Sequence, residues 1–180
     1  MRKKLIPVVM FFLCGQVLFA QLNSSNLDWT ALKFLTGKWE GEGTQESGQS
    51  GAGYCSFEPG LQGKVLVRKN HAEYPAAEGH PAISHDDLMI IYPDNGRHQL
   101  RTFYTDNEGH VIQYTVTAST DGKGAVFLSD AEAGAPRYRL TYTLTQPDRL
   151  TIDFEIAPPG KPDEFKKFIA GKLRRTAAAE

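Results

Sequence analysis

The chain is poor in several things that would have narrowed its chemistry. It has two cysteines, Cys14 and Cys55, and no histidine after His110. It has no long basic run, and a single long apolar stretch, Leu5 to Phe19. That stretch follows Arg2, Lys3 and Lys4 and leads into Ala20-Gln21, the charge, apolar core and small-residue site of a secretory signal peptide. Pro7 and Gln16 interrupt it, and it is shorter than the roughly 20 apolar residues that span a bilayer. Leu13, bulkier than the small residue preferred before a lipidated cysteine, argues against processing at Cys14. The expectation is therefore a signal peptide over residues 1–20, a single domain over 21–180, a periplasmic or secreted protein, and no membrane span after cleavage.

Cleavage changes what is left. The 180 residues carry 20 basic and 21 acidic side chains. Losing Arg2, Lys3 and Lys4 and no acid leaves 17 against 21, a net charge of −4. A mildly acidic domain without a basic stripe excludes nucleic acid as a natural partner. One cysteine then remains, so no internal disulfide can form and the apolar core must carry stability. Cys55 lies in Gly-Tyr-Cys-Ser-Phe with no basic neighbour in sequence to activate it, and reads as a small buried hydrophobe.

What is present is mostly alternation. Leu27, Ala31, Phe34 and Leu35 fall at helical spacing between a capping Asn26 and Gly37, which predicts a short helix ahead of everything else. Beyond it the pattern is strands. Tyr138, Leu140, Tyr142 and Leu144 alternate with Arg139, Thr141 and Thr143. Leu150, Ile152, Phe154 and Ile156 alternate with Thr151, Asp153 and Glu155, and Pro147-Asp148 turns one run into the other. Less regular strands are expected near 38–44, 53–58, 63–73, 87–92, 97–105, 110–118, 124–129 and 165–175. Pro59-Gly60, the 93–96 run, Asn107-Glu108-Gly109 and the 121–124 run punctuate them. Residues 75–84, rich in alanine, glycine and proline, read as a long loop near a barrel mouth.

About ten short strands with tight connections and no crossover helix predict an all-β fold, an antiparallel up-and-down β-barrel. Closure removes the edges that so many strands would otherwise expose. Strands 63–73 and 97–105 carry mixed residues on both faces, so their pattern leaves open which side lines the interior.

One segment is more specific. Phe34-Leu35-Thr36-Gly37-Lys38-Trp39-Glu40-Gly41-Glu42-Gly43 joins a helix end to a turn glycine, a tryptophan and two alternating glycines. Gly37 lets the chain reverse, and Trp39 can then cover one end of a barrel. This opening resembles that of the nitrobindin-like β-barrels and related exported bacterial members of the calycin group, which includes the lipocalins. The similarity extends over Leu32–Arg175. It implies a calycin-type barrel with a ligand cavity, and, as in lipocalins, a basic side chain from the last strand lying on the tryptophan. Arg174 and Arg175 are the candidates for that role. The resemblance also implies haem held by a histidine on a late strand, but this chain has none there. A haem would need another ligand, for which His71 and His98 are the candidates.

The function expected is binding of a small apolar or amphipathic molecule within the barrel, with Trp39, Arg101, Phe103 and Tyr104 as contacts. An inward Arg68, Arg101 or Arg139 would need an anion, and a ligand carboxylate would supply one. The alternatives are the haem-binding barrel and a filled barrel acting through its surface. His71, Glu73, Glu78, His80, His85, Asp86 and Asp87 bring metal-ligating groups together without matching a compact zinc motif. His85-Asp86-Asp87, just before the apolar run Leu88–Tyr92, is placed at a strand mouth. No nucleophile elbow and no phosphate-binding glycine loop is present, so nothing points to an enzyme.

Overall fold

A computed structural model describes residues 27–42, 52–76 and 81–176. The expected signal peptide and its cleavage site, the capping Asn26, Gly43 of the opening motif, Glu78 and His80 lie outside the described residues.

The described residues form ten strands: β1 (Gly37–Gly41), β2 (Ala52–Gly60), β3 (Val65–Tyr74), β4 (Ile83–Asp94), β5 (Gln99–Asp106), β6 (Val111–Ala118), β7 (Gly124–Ser129), β8 (Arg137–Gln146), β9 (Arg149–Ala157) and β10 (Lys166–Arg175). Each pairs antiparallel with its neighbour in sequence, and β1 pairs with β10 to close the ring. The chain is a closed ten-stranded antiparallel β-barrel, compatible with a calycin-like fold. The β8–β9 hairpin follows directly from its alternation: Leu140 faces Phe154, Tyr142 faces Ile152 and Leu144 faces Leu150 on the inner side.

Two elements differ from expectation. β4 starts at Ile83 rather than near residue 87, because Ile83, Ser84, His85 and Asp86 pair with Tyr74, Glu73, Ala72 and His71. Pairing with a preformed neighbour extends a strand beyond what its own propensity supports. The helical segment is a 3-10 turn over Thr30–Leu35, with no side-chain cap from Trp29. Its three-residue period buries Leu32 and Leu35 together and leaves Ala31 exposed, so the apolar face differs from that of an α-helix.

The barrel's two ends are unlike each other. The lower end carries the turns at 61–64, 95–98, 119–123 and 147–148, and the 3-10 turn closes it. Trp29 donates its Nε1–H to the Gly63 carbonyl at 2.9 Å, tying the turn to the β2–β3 connection. Leu32, Leu35, Trp39, Phe57, Leu66, Ile91, Phe127 and Leu150 pack here with essentially no exposure. Trp39, 0% exposed, donates its Nε1–H to the Leu35 carbonyl at 2.7 Å. Arg175 lies over its ring at 4.0 Å and donates to the carbonyls of Thr36 and Phe34, so of the two candidate arginines it is Arg175 that covers the tryptophan. Gly37 is required twice over. Its φ is +108°, and a Cβ there would meet Arg175 Nη1 at 3.0 Å.

Candidate functional site

The polar chemistry lies on the inner faces of β3, β4 and β5, in the upper half of the barrel. Register decides this. Leu66, Arg68 and Asn70 of β3 share a face with Asp87, Met89 and Ile91 of β4, and these with Thr102, Tyr104 and Asp106 of β5. Since Leu66, Met89, Ile91 and Thr102 are fully buried, that face is the interior. Arg68 and Asp87 are carried inward with them, their side chains 5% and 4% exposed.

The Arg68 guanidinium donates from Nη1 to Asp87 Oδ1. The other Asp87 oxygen accepts from Asn70 Nδ2 at 3.0 Å and lies 3.4 Å from His85 Nε2. His85 Nδ1 meets Glu108 Oε1 at 3.0 Å, and the Tyr104 hydroxyl lies 3.3 Å from His85 Nε2. Tyr104 in turn donates to Asp106 Oδ2 at 2.9 Å. Asp106 also accepts from the backbone N–H groups of Glu108 and His110 and from the His110 ring. A continuous polar chain thus runs from the barrel centre to the upper rim.

These contacts set protonation states. The hydrogen bond to Asp87, joined by that to Glu108 and opposed by burial, raises His85 to about 9. It is an imidazolium at neutral pH, donating from both nitrogens. Burial pushes Asp106 up, but the donors from His110 and Tyr104 outweigh it and hold its carboxyl below the usual range. Burial, with Asp87 and Asp106 nearby, raises the Tyr104 hydroxyl far out of reach of neutral pH. Cys55, against Arg68 in the core, is raised to about 11 by burial and is an inert thiol.

The raised His85 value makes stability pH-dependent with a definite sign. Because the folded value exceeds the ordinary histidine value of about 6.5, the stabilisation is complete below about pH 6.5 and is lost as pH rises through about 9. The ring is 23% exposed, and after allowance for solvent screening the loss is about 1–2 kcal/mol. Thermal melts at pH 6.5 and 9.5 should show the drop, and His85→Gln should flatten it; an unchanged slope in the variant would assign the effect elsewhere.

Facing this polar wall is an aromatic one. Tyr138 of β8 stacks on Phe154 of β9, centroids 5.9 Å apart with planes at 10°, and Phe168 of β10 meets Phe154 edge-on at 6.2 Å. Tyr138, Ile152, Phe154 and Ile112 sit on the inner face yet keep partial exposure, and Phe168 is 67% exposed. At the lower end Ala118, Leu144 and Leu173 are partly exposed as well, but there the 3-10 turn, Trp39 and Arg175 lie across the barrel, so the upper end is the less covered one.

The expected contacts are distributed between inside and outside. Tyr104 is in the polar chain. Trp39 closes the lower end. Arg101 and Phe103 alternate with the inward Leu100, Thr102 and Tyr104 and so face outward; Arg101 makes a two-pronged ion pair with Asp130 and bonds Thr115 Oγ1 at 2.7 Å. Its anion is therefore an aspartate of the same chain. Arg139 likewise pairs with Glu155. His71 is on the outer face beside Tyr54, bonded to Asp86 at 2.8 Å and to Glu73 at 3.3 Å. There it lines an open groove of about 680 Å³ together with Lys38, Lys69 and Leu88. His98 is exposed in the β4–β5 turn at the lower end, with φ 51°. His71 pairs in register with Asp86 near the opposite end of β4, so the two histidines are separated by roughly 25 Å of strand. Among the described residues no group of three or more histidine, cysteine or acidic side chains is placed to hold a metal ion.

Arg68, Asp87 and Asp106 are the interior residues that pattern reading did not select as contacts. The signal was present for two of the participants, in the placement of His85-Asp86-Asp87 at a strand mouth. The fold defines the chain as a closed ten-stranded antiparallel barrel, capped at its lower end by the 3-10 turn and Trp39. No protein-family model matches it, and no curated protein matches it.

Proposed function

We propose that this is an exported binding protein that holds a small amphipathic molecule at the open end of its barrel. The observation that carries the reading is the juxtaposition of two inner walls. Tyr138, Phe154 and Phe168 offer solvent-accessible aromatic surface to an apolar body, and the chain from Arg68 to Asp106 offers directional hydrogen bonds to a polar end. A mostly apolar concavity with a few convergent polar groups is the usual form of a small-molecule site. The nitrobindin-like and lipocalin-like resemblance of the opening motif, with Arg175 on Trp39, agrees with a calycin-type carrier.

The histidines give haem little to bind. His71 and His98 are far apart on the outside, and both ring nitrogens of the inner His85 are engaged by Asp87, Glu108 and Tyr104.

The test is titration of the mature protein with N-phenyl-1-naphthylamine, an uncharged probe whose fluorescence rises in apolar surroundings. Saturable enhancement is expected, with Phe154→Asp weakening it by about 10-fold or more through a carboxylate placed in the apolar wall. No enhancement in the unaltered protein would sink the carrier and leave a filled barrel acting through its surface. A mass corresponding to a chain beginning at Gln21, from protein recovered outside the cytoplasm, would support export.

A further inference from the structure

The outer face of β1–β5 carries a hollow of its own. Strand alternation sends Lys38, Ser56, Lys69 and Leu88 outward on one row of the sheet, since Lys38 pairs with Ser56, Ser56 with Lys69 and Lys69 with Leu88. The next row is Tyr54, His71 and Asp86. Both rows line the open groove of about 680 Å³, a size within the roughly 300–1,000 Å³ usual for small-molecule sites. Most of its lining residues hold outward positions, so a molecule in it lies outside the ring of strands.

Two observations set this face apart from an ordinary solvated sheet. The first is charge left unmatched. Lys161 and Lys167 are taken up by Glu164 and Asp153, whereas Lys38 and Lys69 form no ion pair among the described residues. They stand on either side of Ser56. Directly opposed residues have Cβ atoms about 5 Å apart, so both ammonium groups can reach one group seated over the Ser56 hydroxyl. The acids that border the groove do not cancel them. Asp86, Asp87 and Asp106 are bonded to His71, Arg68 and His110. Glu58 stands about 7 Å from Ser56 along β2, on the side away from Tyr54. Two cations against one acid leave this spot positive, on a chain with more acidic than basic side chains.

The second is an aromatic ring in the open. Tyr54 is 57% exposed. The His71 ring backs it, with centroids 5.2 Å apart and planes at 33°, and is itself fixed by Asp86 and Glu73. Tyr54 is thus held in place with much of its surface uncovered, and a ring presented in this way loses little freedom when a flat molecule covers it. It stands two residues from Ser56 on the same face, about 7 Å along β2, the span of a two-ring aryl acid.

We infer that the groove is a second binding site, for a small aromatic anion of the aryl carboxylate class. The flat body lies on Tyr54, and the anionic group is held over Ser56 by Lys38 and Lys69 through charge-assisted hydrogen bonds. The site does not depend on the carrier reading, because it draws nothing from the barrel's interior.

Calorimetric titration of the purified protein with three compounds tests each half of this recognition. 2-Naphthoate has the ring and the charge, 2-naphthalenemethanol the ring alone, and glucuronate the charge on a sugar ring. 2-Naphthoate is expected to bind one to one, about 10-fold or more tighter than the other two, and to weaken severalfold as salt rises from about 20 to about 200 mM. Lys38→Gln combined with Lys69→Gln is expected to weaken it by about 10-fold, and Tyr54→Ser by about 3–10-fold. All three positions are exposed, so the substitutions spare the core. Equal binding of 2-naphthalenemethanol overturns the anion, and equal or tighter binding of glucuronate overturns the aromatic body. No binding of 2-naphthoate overturns the site. Unchanged affinity in the double lysine variant overturns its placement, as does displacement of N-phenyl-1-naphthylamine by 2-naphthoate, which puts the acid inside the barrel. Probe binding that survives saturating 2-naphthoate supports two separate sites. Absence of probe binding sinks the carrier alone, and the calorimetry still decides the groove.

Discussion

Arg68→Met should lower the unfolding free energy by about 3–5 kcal/mol, a large share of the 5–15 kcal/mol typical of a domain. The loss comes less from the contact removed than from what it leaves behind. Asp87, 4% exposed, would keep only Asn70 and His85 as partners for a full negative charge. Removing both charges is far milder, because two matched apolar or neutral groups carry no unpaid desolvation. Arg68→Met with Asp87→Asn should therefore recover more than half of the loss. Urea denaturation of the two single variants and the double variant, with the coupling read from the cycle, decides the matter. Additive losses would mean that the ion pair is not the unit that holds this part of the barrel.

Trp39→Ala carries an effect of the same order, about 3–5 kcal/mol, through a different mechanism. The side chain is fully buried beneath the 3-10 turn, and its removal opens a cavity that Leu32, Leu35 and Phe57 cannot collapse to fill. It also strips the Leu35 carbonyl of its donor and Arg175 of the ring on which it lies. Trp39→Phe keeps much of the volume and should cost less than half as much. In a cycle with Arg175→Ala, the stacking of guanidinium on indole should appear as a coupling of about 0.5–2 kcal/mol. Zero coupling would reduce Arg175 to its hydrogen bonds with the Thr36 and Phe34 carbonyls. Guanidinium denaturation followed by near-ultraviolet signals from the aromatic core serves for the unaltered protein and all the variants.

The ring of strands could be read from the sequence because its signal is local and repeated. Each run in the β8–β9 hairpin alternates cleanly, and turn residues mark where the pairing must reverse. The interior site could not be read in the same way. In β3 the outward-facing Val67 lies between the inward Leu66 and Arg68, and in β4 the unbroken run Leu88–Tyr92 hides which alternate residues face the axis. Alternation assigns a face only when one side is consistently apolar. Where a buried ion pair occupies the apolar side, the pattern points the wrong way for the residues that matter most. Arg101 illustrates the converse. It is nearly as buried as Arg68, but on the outer face, where Asp130 and Thr115 fold over it. Only the register of neighbouring strands distinguishes the two arginines, and register is not written in any one strand. The 3-10 turn was missed for a related reason, since a three-residue and a 3.6-residue period differ little over six residues.

The shortness of β1 has a consequence for how the barrel moves. The seams differ in length: β2 and β3 pair from Ala52↔Glu73 to Gly60↔Val65, whereas among the described residues β1 and β10 share three register pairs, Trp39↔Arg175, Glu40↔Arg174 and Gly41↔Leu173. The β1–β10 seam is thus the shortest run of teeth in the described ring, locked at its lower end by the stacked Trp39 and Arg175. Local opening starts where the fewest backbone hydrogen bonds must break together. Amide protons along this seam should exchange with solvent earlier than those between β2 and β3, and faster still when Arg175 is replaced. The barrel would then breathe sideways between its first and last strands, while the opposite wall, bearing the Arg68–Asp87 pair, stays shut.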